Sequence, residues 1–227
     1  MNILKKILNF PLKIFKKSNI LKKENLTERF NEIYEKNYWG DSQSVSGPGS
    51  SLKNSKNLRN ELKKIIKKYK ITSITDAPCG DCNWIKSIFN NYKIKYLGLD
   101  IVSELIKKNK KKYRRKNLNF KFLDLTKKKI PSADLVICRD LLFHLSFKDG
   151  KKFLKNLSQS KYKYLLITSH SNGIDNNFDN LKDIVSGDFR KINIFKKPYN
   201  FNHNYELLIK DFCDNKEKYM ILFKSNN

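Results

Sequence analysis

Long hydrophobic runs are missing from this 227-residue chain. No stretch approaches the roughly 20 apolar residues that span a bilayer, so no transmembrane helix is expected. The start, MNILKKILNFPLKIFKK, is apolar and basic. Lys5, Lys6 and Lys13 break up any signal region, and no small-residue cleavage site follows. Cysteine is also sparse. Four residues do not make a disulfide scaffold, and a reduced, cytoplasmic compartment is expected. Acid is in deficit: 22 acidic against 48 basic residues leave a net charge of +26. A field of that sign attracts nucleic acid, acidic headgroups or acidic glycans. Arginine, the better bidentate reader of phosphate, supplies only six of the 48, however. The lysine excess, with abundant Asn and Ile, reads first as a compositional drift of the whole surface.

What is present is an ordered set of apolar runs. Residues 1–24 pair Ile3, Leu4, Ile7 and Leu8 with lysines and resume after Pro11. This basic amphipathic segment would lie on an anionic membrane, at the inner face, or pack on the domain. Residues 25–69 form a helical cap. LTERFNEIYEKNYW and residues 55–69 have helical spacing, and GDSQSVSGPGSS between them is a loop, long enough to serve as a lid. From residue 70 to 227 strands and helices alternate. ITSITDA, YLGLDIV, FKFLDL, ADLVICRD and YKYLLITSH read as strands. IKSIFNN, SELIKKNKKKY (with Ser103 as N-cap) and FKDGKKFLKNLSQS read as helices. YELLIKDF and KYMILFK close the chain as a hairpin. The predicted fold is Rossmann-like α/β, mostly parallel, with an antiparallel C-terminal hairpin, helices on both faces and an N-terminal helical extension.

In open α/β sheets ligands bind beyond the carboxyl ends of the strands. Gly80 in TDAPCGDCNW lets the backbone approach a ligand there. Asp100 ends the second strand twenty residues on, where a carboxylate can accept from both hydroxyls of a ribose. Asp124 ends the third strand, placed to accept from an adenine amino group. With Asp76 these acids point to an adenosine-containing ligand. The pattern G-x-G-x-x-G of nicotinamide sites is missing, as is the phosphate loop G-x-x-x-x-G-K-[ST]. Cys79 and Cys82 form one C-x-x-C with no second pair, so neither a zinc site nor any other metal site is expected.

DAPCGDCNW, YLGLDI, FLDL and ADLVICRDLLFHL, in this order, resemble the class I S-adenosylmethionine-dependent methyltransferases over about residues 70–227. Upstream, SGPGS resembles a feature of small bacterial members. The family's acid-x-Gly-x-Gly-x-Gly is incomplete: Asp76 and Gly80 match, while Pro78 and Cys82 replace the flanking glycines. The resemblance implies a seven-stranded sheet and S-adenosyl-L-methionine as cofactor. It places Asp76 and Gly80 at the methionine part, Asp100 at the ribose and Asp124 near adenine, with Pro78, Asp81, Ile101, Leu125 and Arg139 as further cofactor contacts.

The segment after the fourth strand, CRDLLFHLS, supplies Asp140 and His144, candidates to take a proton from the acceptor or to orient it. The absence of N-P-P-[YFW] and D-P-P-Y argues against methylation of adenine N6 or glutamine. The Asn, Asp and aromatic content of residues 170–201 suits a polar, hydroxyl-rich acceptor such as a sugar, and the leading reading is a small molecule or glycan methylated on oxygen. Ser46, Gly47, Ser50 and Arg190 are the candidate substrate contacts. Two rivals stand beside this reading. One is an RNA methyltransferase using the basic run KKNKKKYRRK; the other is a non-catalytic relative that binds the cofactor alone.

Overall fold

The structure, a computed structural model, describes residues 20–91, 94–213 and 216–225. Most of the expected amphipathic segment 1–24 therefore lies outside the described residues. Seven strands form one sheet in the order β3-β2-β1-β4-β5-β7-β6. They are β1 (Ser73–Asp76), β2 (Lys95–Asp100), β3 (Leu118–Phe122), β4 (Ala133–Cys138), β5 (Tyr162–Ser169), β6 (Leu207–Cys213) and β7 (Lys216–Lys224). Strands β1 to β5 pair parallel, whereas β7 runs antiparallel to both β5 and β6. The expected terminal hairpin is present.

Strand alternation builds two cores. Leu99, Val136, Ile167 and Ile221 face one side and pack with Phe30 and Ile33 of α1 (Leu26–Glu35) and with Phe153 and Leu157 of α5 (Phe147–Ser158). Tyr96, Leu135, Ile137, Leu166 and Leu222 face the other, against Leu58, Leu62 and Ile65 of α2 (Lys56–Lys68) and Ile88 of α3 (Ile88–Asn91). Helix α4 (Ser103–Lys112) sends Leu105 to the first core and Ile106 to the second. Residues 25–69 thus place one helix on each face of the sheet.

Two local expectations need correction. IKSIFNN is helical only over Ile88–Asn91. Before it the chain turns through positive φ at Gly80 and Cys82, and Asp81 Oδ1 accepts the Asn83 N–H at 3.0 Å. These turns consume the residues that would have begun the helix. Ser103 does not cap α4. It is the first helical residue, no side chain caps that end, and the Val102 N–H is taken by Asp100 Oδ1 at 3.0 Å.

Strand order reverses between β1 and β4, each of which the chain leaves in opposite directions across the sheet. A crevice opens there beyond the carboxyl ends. The loop 40–51 reaches this crevice, carrying a short turn of 3-10 helix at Pro48–Ser50.

Candidate active site

A cavity of 670 Å³ fills the crevice. Its inner end is built from three strand ends. After β1, Pro78, Cys79 and Gly80 line it; after β2, Asp100, Ile101 and Val102; after β3, Leu123 to Thr126. Asp100 is 6% exposed. Its Oδ2 accepts from the Gly80 N–H at 3.0 Å and its Oδ1 from Val102 N–H, so it ties the β1 turn to β2. Burial raises its pKa to about 6, although those backbone donors oppose the rise. Asp124 Oδ1 accepts from the Thr126 backbone and hydroxyl, while its buried Oδ2 has no hydrogen-bond donor among the described residues. Lys127 Nζ lies 3.3 Å from that oxygen.

Asp76 stands elsewhere than the resemblance implies. It is absent from the cavity wall and fully buried behind it. Tyr96 donates to its Oδ2 at 2.8 Å, and Oδ1 has no partner among the described residues. Burial, only partly offset by that bond, lifts its pKa to about 7. Asp81 is also off the wall. Its carboxylate accepts from Ser44 and Asn83 and anchors the loop above. The cysteine pair is buried as free thiols, with Cys82 Sγ 3.4 Å from the Tyr96 hydroxyl. No group of residues suited to a metal ion occurs among the described residues.

The SGPGS loop forms the roof. Ser46 Oγ accepts from Asp81 N–H at 3.1 Å, Asn83 Nδ2 donates to the Ser50 carbonyl at 2.9 Å, and Arg139 Nη2 donates to the Gly49 carbonyl at 2.8 Å. Ser46, Gly47 and Ser50 all line the cavity. Gly80 is required beneath it. Its φ is +53°, and a Cβ there would lie 2.2 Å from Ser46 Oγ.

The outer end carries the acid–base groups. Arg139 is buried over the Trp84 ring and donates from Nε and Nη2 to Asp211 Oδ2 at 3.0 and 2.8 Å. Lys218 Nζ donates to both oxygens of Asp140 at 2.5 Å and lies 3.2 Å from Asp211. Burial opposes charge on Asp140, but Arg139 and Lys218 outweigh it and hold the carboxyl well below the usual range. Asp140 is therefore a poor proton acceptor.

His144, half-buried, donates from Nδ1 to the Asp188 carbonyl at 2.8 Å and stacks on Trp39 at 4.7 Å. Burial lowers its pKa to about 4, so it is neutral near pH 7 with its lone pair on Nε2. Arg190 is not at the cavity. Its guanidinium is held by Asp183 and Tyr199 over the Phe147 ring, a structural role. Sequence reasoning missed Trp39, His170 and Lys218, which all line the cavity. Only the position of His170 after a strand, like that of Asp100, could have flagged one of them.

Residues 75–160 match a family model described as a methyltransferase domain. No curated protein matches the sequence significantly. Solved structures match the fold at low identity. Magnesium protoporphyrin IX methyltransferase from Synechocystis PCC 6803, bound to S-adenosylhomocysteine (SAH), is 12% identical, with TM-score 0.60 over 87% of this chain and 96% of that one. Human N-acetylserotonin methyltransferase in complex with S-adenosylmethionine is 14% identical, with TM-score 0.55 over 90% and 60%. The methyltransferase domain of a bacterial Hen1 is 12% identical, with TM-score 0.53 over 77% and 100%. Residues 75–160 are thus similar to a methyltransferase domain, and the seven-stranded sheet shares its fold with these solved methyltransferases.

Proposed function

We propose that the protein methylates a hydroxyl oxygen of a small molecule or glycan. The observation that carries this reading is His144. It is neutral, fixed through Nδ1 on Asp188, and stands in the same cavity as Asp100. S-adenosylmethionine supplies an already activated methyl group. The residues present fit it: a ribose diol can donate to Asp100, and Asp124 Oδ2, whose near neighbour is Lys127 Nζ, can accept a hydrogen bond from the adenine amino group. Pro78, Gly80, Ile101 and Leu125 supply backbone and apolar wall, and Arg139 holds the roof by its Gly49 bond. The work left to the protein is to align the acceptor and exclude water. Ser46, Gly47 and Ser50 close the roof, and Asp140, locked by Lys218, lines the same cavity beside Gly49. His144 Nε2 holds the hydroxyl proton.

Asp100→Ala should weaken S-adenosylmethionine binding by roughly 1–3 kcal/mol, the scale of lost hydrogen bonds to a charged group. Unchanged affinity by calorimetry would remove the ribose assignment. Labelled S-adenosylmethionine with fractionated cell extract identifies the acceptor. Label in a small-molecule or glycan pool supports the reading, label in RNA replaces it, and binding without transfer to any pool marks a non-catalytic relative.

A further inference from the structure

The segment between β5 and β6 was expected to offer its asparagines to a hydroxyl-rich acceptor. The structure uses them locally instead. Asn180 Nδ2 donates to the Asn193 and Lys197 carbonyls, Asn193 Nδ2 to Phe178 O, and Asn176 Nδ2 to His170 O. What this segment gives the cavity is His170, Phe189 and Lys191.

His170 is the mirror of His144 in hydrogen-bond polarity. Its Nδ1 accepts the Ile192 N–H at 3.3 Å, so in the neutral ring the proton sits on Nε2. His144 donates from Nδ1, so its Nε2 is a bare lone pair. Neither Nε2 has a hydrogen-bond partner among the described residues. Both rings line the cavity and both touch Phe143, at 4.4 and 5.0 Å between centroids. Phe189 completes the cluster, 5.5 Å from Phe143, and is 54% exposed, an aromatic face left open at the cavity mouth. Burial lowers the pKa of each imidazole to about 4, and Lys218 opposes both charges, so the two tautomers persist near pH 7.

From this we infer that the outer end of the cavity reads a neutral hydroxyl carried on a flat ring, donating to His144 Nε2 and accepting from His170 Nε2–H. This rests on the methyltransferase reading and narrows its acceptor. A hydroxyl is both donor and acceptor and satisfies the pair. A carboxylate or phosphate only accepts and faces the His144 lone pair unpaired. An ammonium only donates and faces the His170 N–H. The buried cations do not rescue an anion, since Arg139 and Lys218 are already held by Asp140 and Asp211. Lys191 and Lys216 are exposed at the rim. An open aromatic face beside the pair favours a flat ring over a saturated one. In the proton step the O–H bond breaks, its electron pair stays on oxygen, and the proton bonds to Nε2 of His144, leaving an imidazolium.

The wild-type full chain allows a test without any variant. It contains three histidines, and long-range proton–nitrogen-15 NMR at pH 7 reports each tautomer. His144 should carry its proton on Nδ1 and His170 on Nε2. The same tautomer in both, or titration of either near the ordinary value of about 6.5, overturns the inference. Calorimetry with 2-naphthol, 2-naphthoate and 2-decalol then tests the selectivity. With SAH present, 2-naphthol should bind at least about tenfold tighter than either of the others, as expected where mismatched probes leave buried polar groups unpaired. His170→Phe should lose about tenfold for 2-naphthol while binding SAH normally. Equal binding of the three probes overturns the inference alone. Failure of the wild type to bind SAH overturns the methyltransferase reading instead.

Discussion

Asp76 and Asp100 end neighbouring strands, and burial treats them alike while geometry does not. Asp100 faces the cavity with two backbone donors; Asp76 sits behind it with one oxygen bare. The Asp76 pKa is raised to about 7, against roughly 3.9 in an unfolded chain. Between those values the folded state binds more protons than the unfolded state. Asp76 therefore costs stability as pH rises through this window. Asp76→Asn removes the titration. The variant should gain on wild type by on the order of 4 kcal/mol from pH 4 to pH 8, measured by urea denaturation at each pH. A difference that stays constant with pH would mean that Asp76 is ionised throughout. Residue types at strand ends were legible in the sequence because β–α alternation fixes where a strand stops, which placed Asp100 and Asp124 at the cavity. Whether a side chain then points into the crevice or behind it depends on local turn geometry. That is why Asp76 and Asp81 fell outside the wall.

At the scale of elements, the roof loop and the β1 turn act as one unit. Ser46 Oγ sits against Gly80 and takes the Asp81 N–H, so the loop seals only a turn that lacks a Cβ. Gly80→Ala places a methyl 2.2 Å from Ser46 Oγ at a φ of +53°. It should destabilise the protein by about 1–3 kcal/mol and weaken S-adenosylmethionine binding. Ser46→Gly removes the clashing atoms. The double variant should recover part of the loss, leaving the backbone strain. Simple additivity in thermal melts and calorimetry would show that loop and turn do not touch. The loop itself was legible from its Ser, Gly and Pro content. Its seat was not, because Arg139, Asn83 and Asp81 reach it from strand ends 30 to 90 residues away. Trp39, His170 and Lys218 were illegible for the same reason: each enters the cavity through tertiary packing that no local period encodes.

Over the whole molecule the question is whether the charge of +26 acts anywhere in particular. The described residues place much of it on solvated surface. The lysines of α4 are exposed, with Glu104 pairing one of them. Ile20, by contrast, is 1% exposed in the first core, so the chain from residue 20 onward belongs to the fold. Residues 1–19 carry five lysines and no acid, a fifth of the net charge, interleaved with apolar residues. Generic attraction to an anionic surface would scale with total charge and be screened within about 10 Å at 0.1 M salt. An amphipathic anchor adds apolar insertion, which salt does not screen. We therefore expect the full chain to cosediment with vesicles rich in anionic lipid at low salt. Deletion of residues 1–19 should abolish that binding, while Lys107→Glu, Lys110→Glu and Lys111→Glu combined should leave most of it. If the deletion costs no more than the charge reversal on α4, the net charge is surface drift and the N-terminal segment is no anchor.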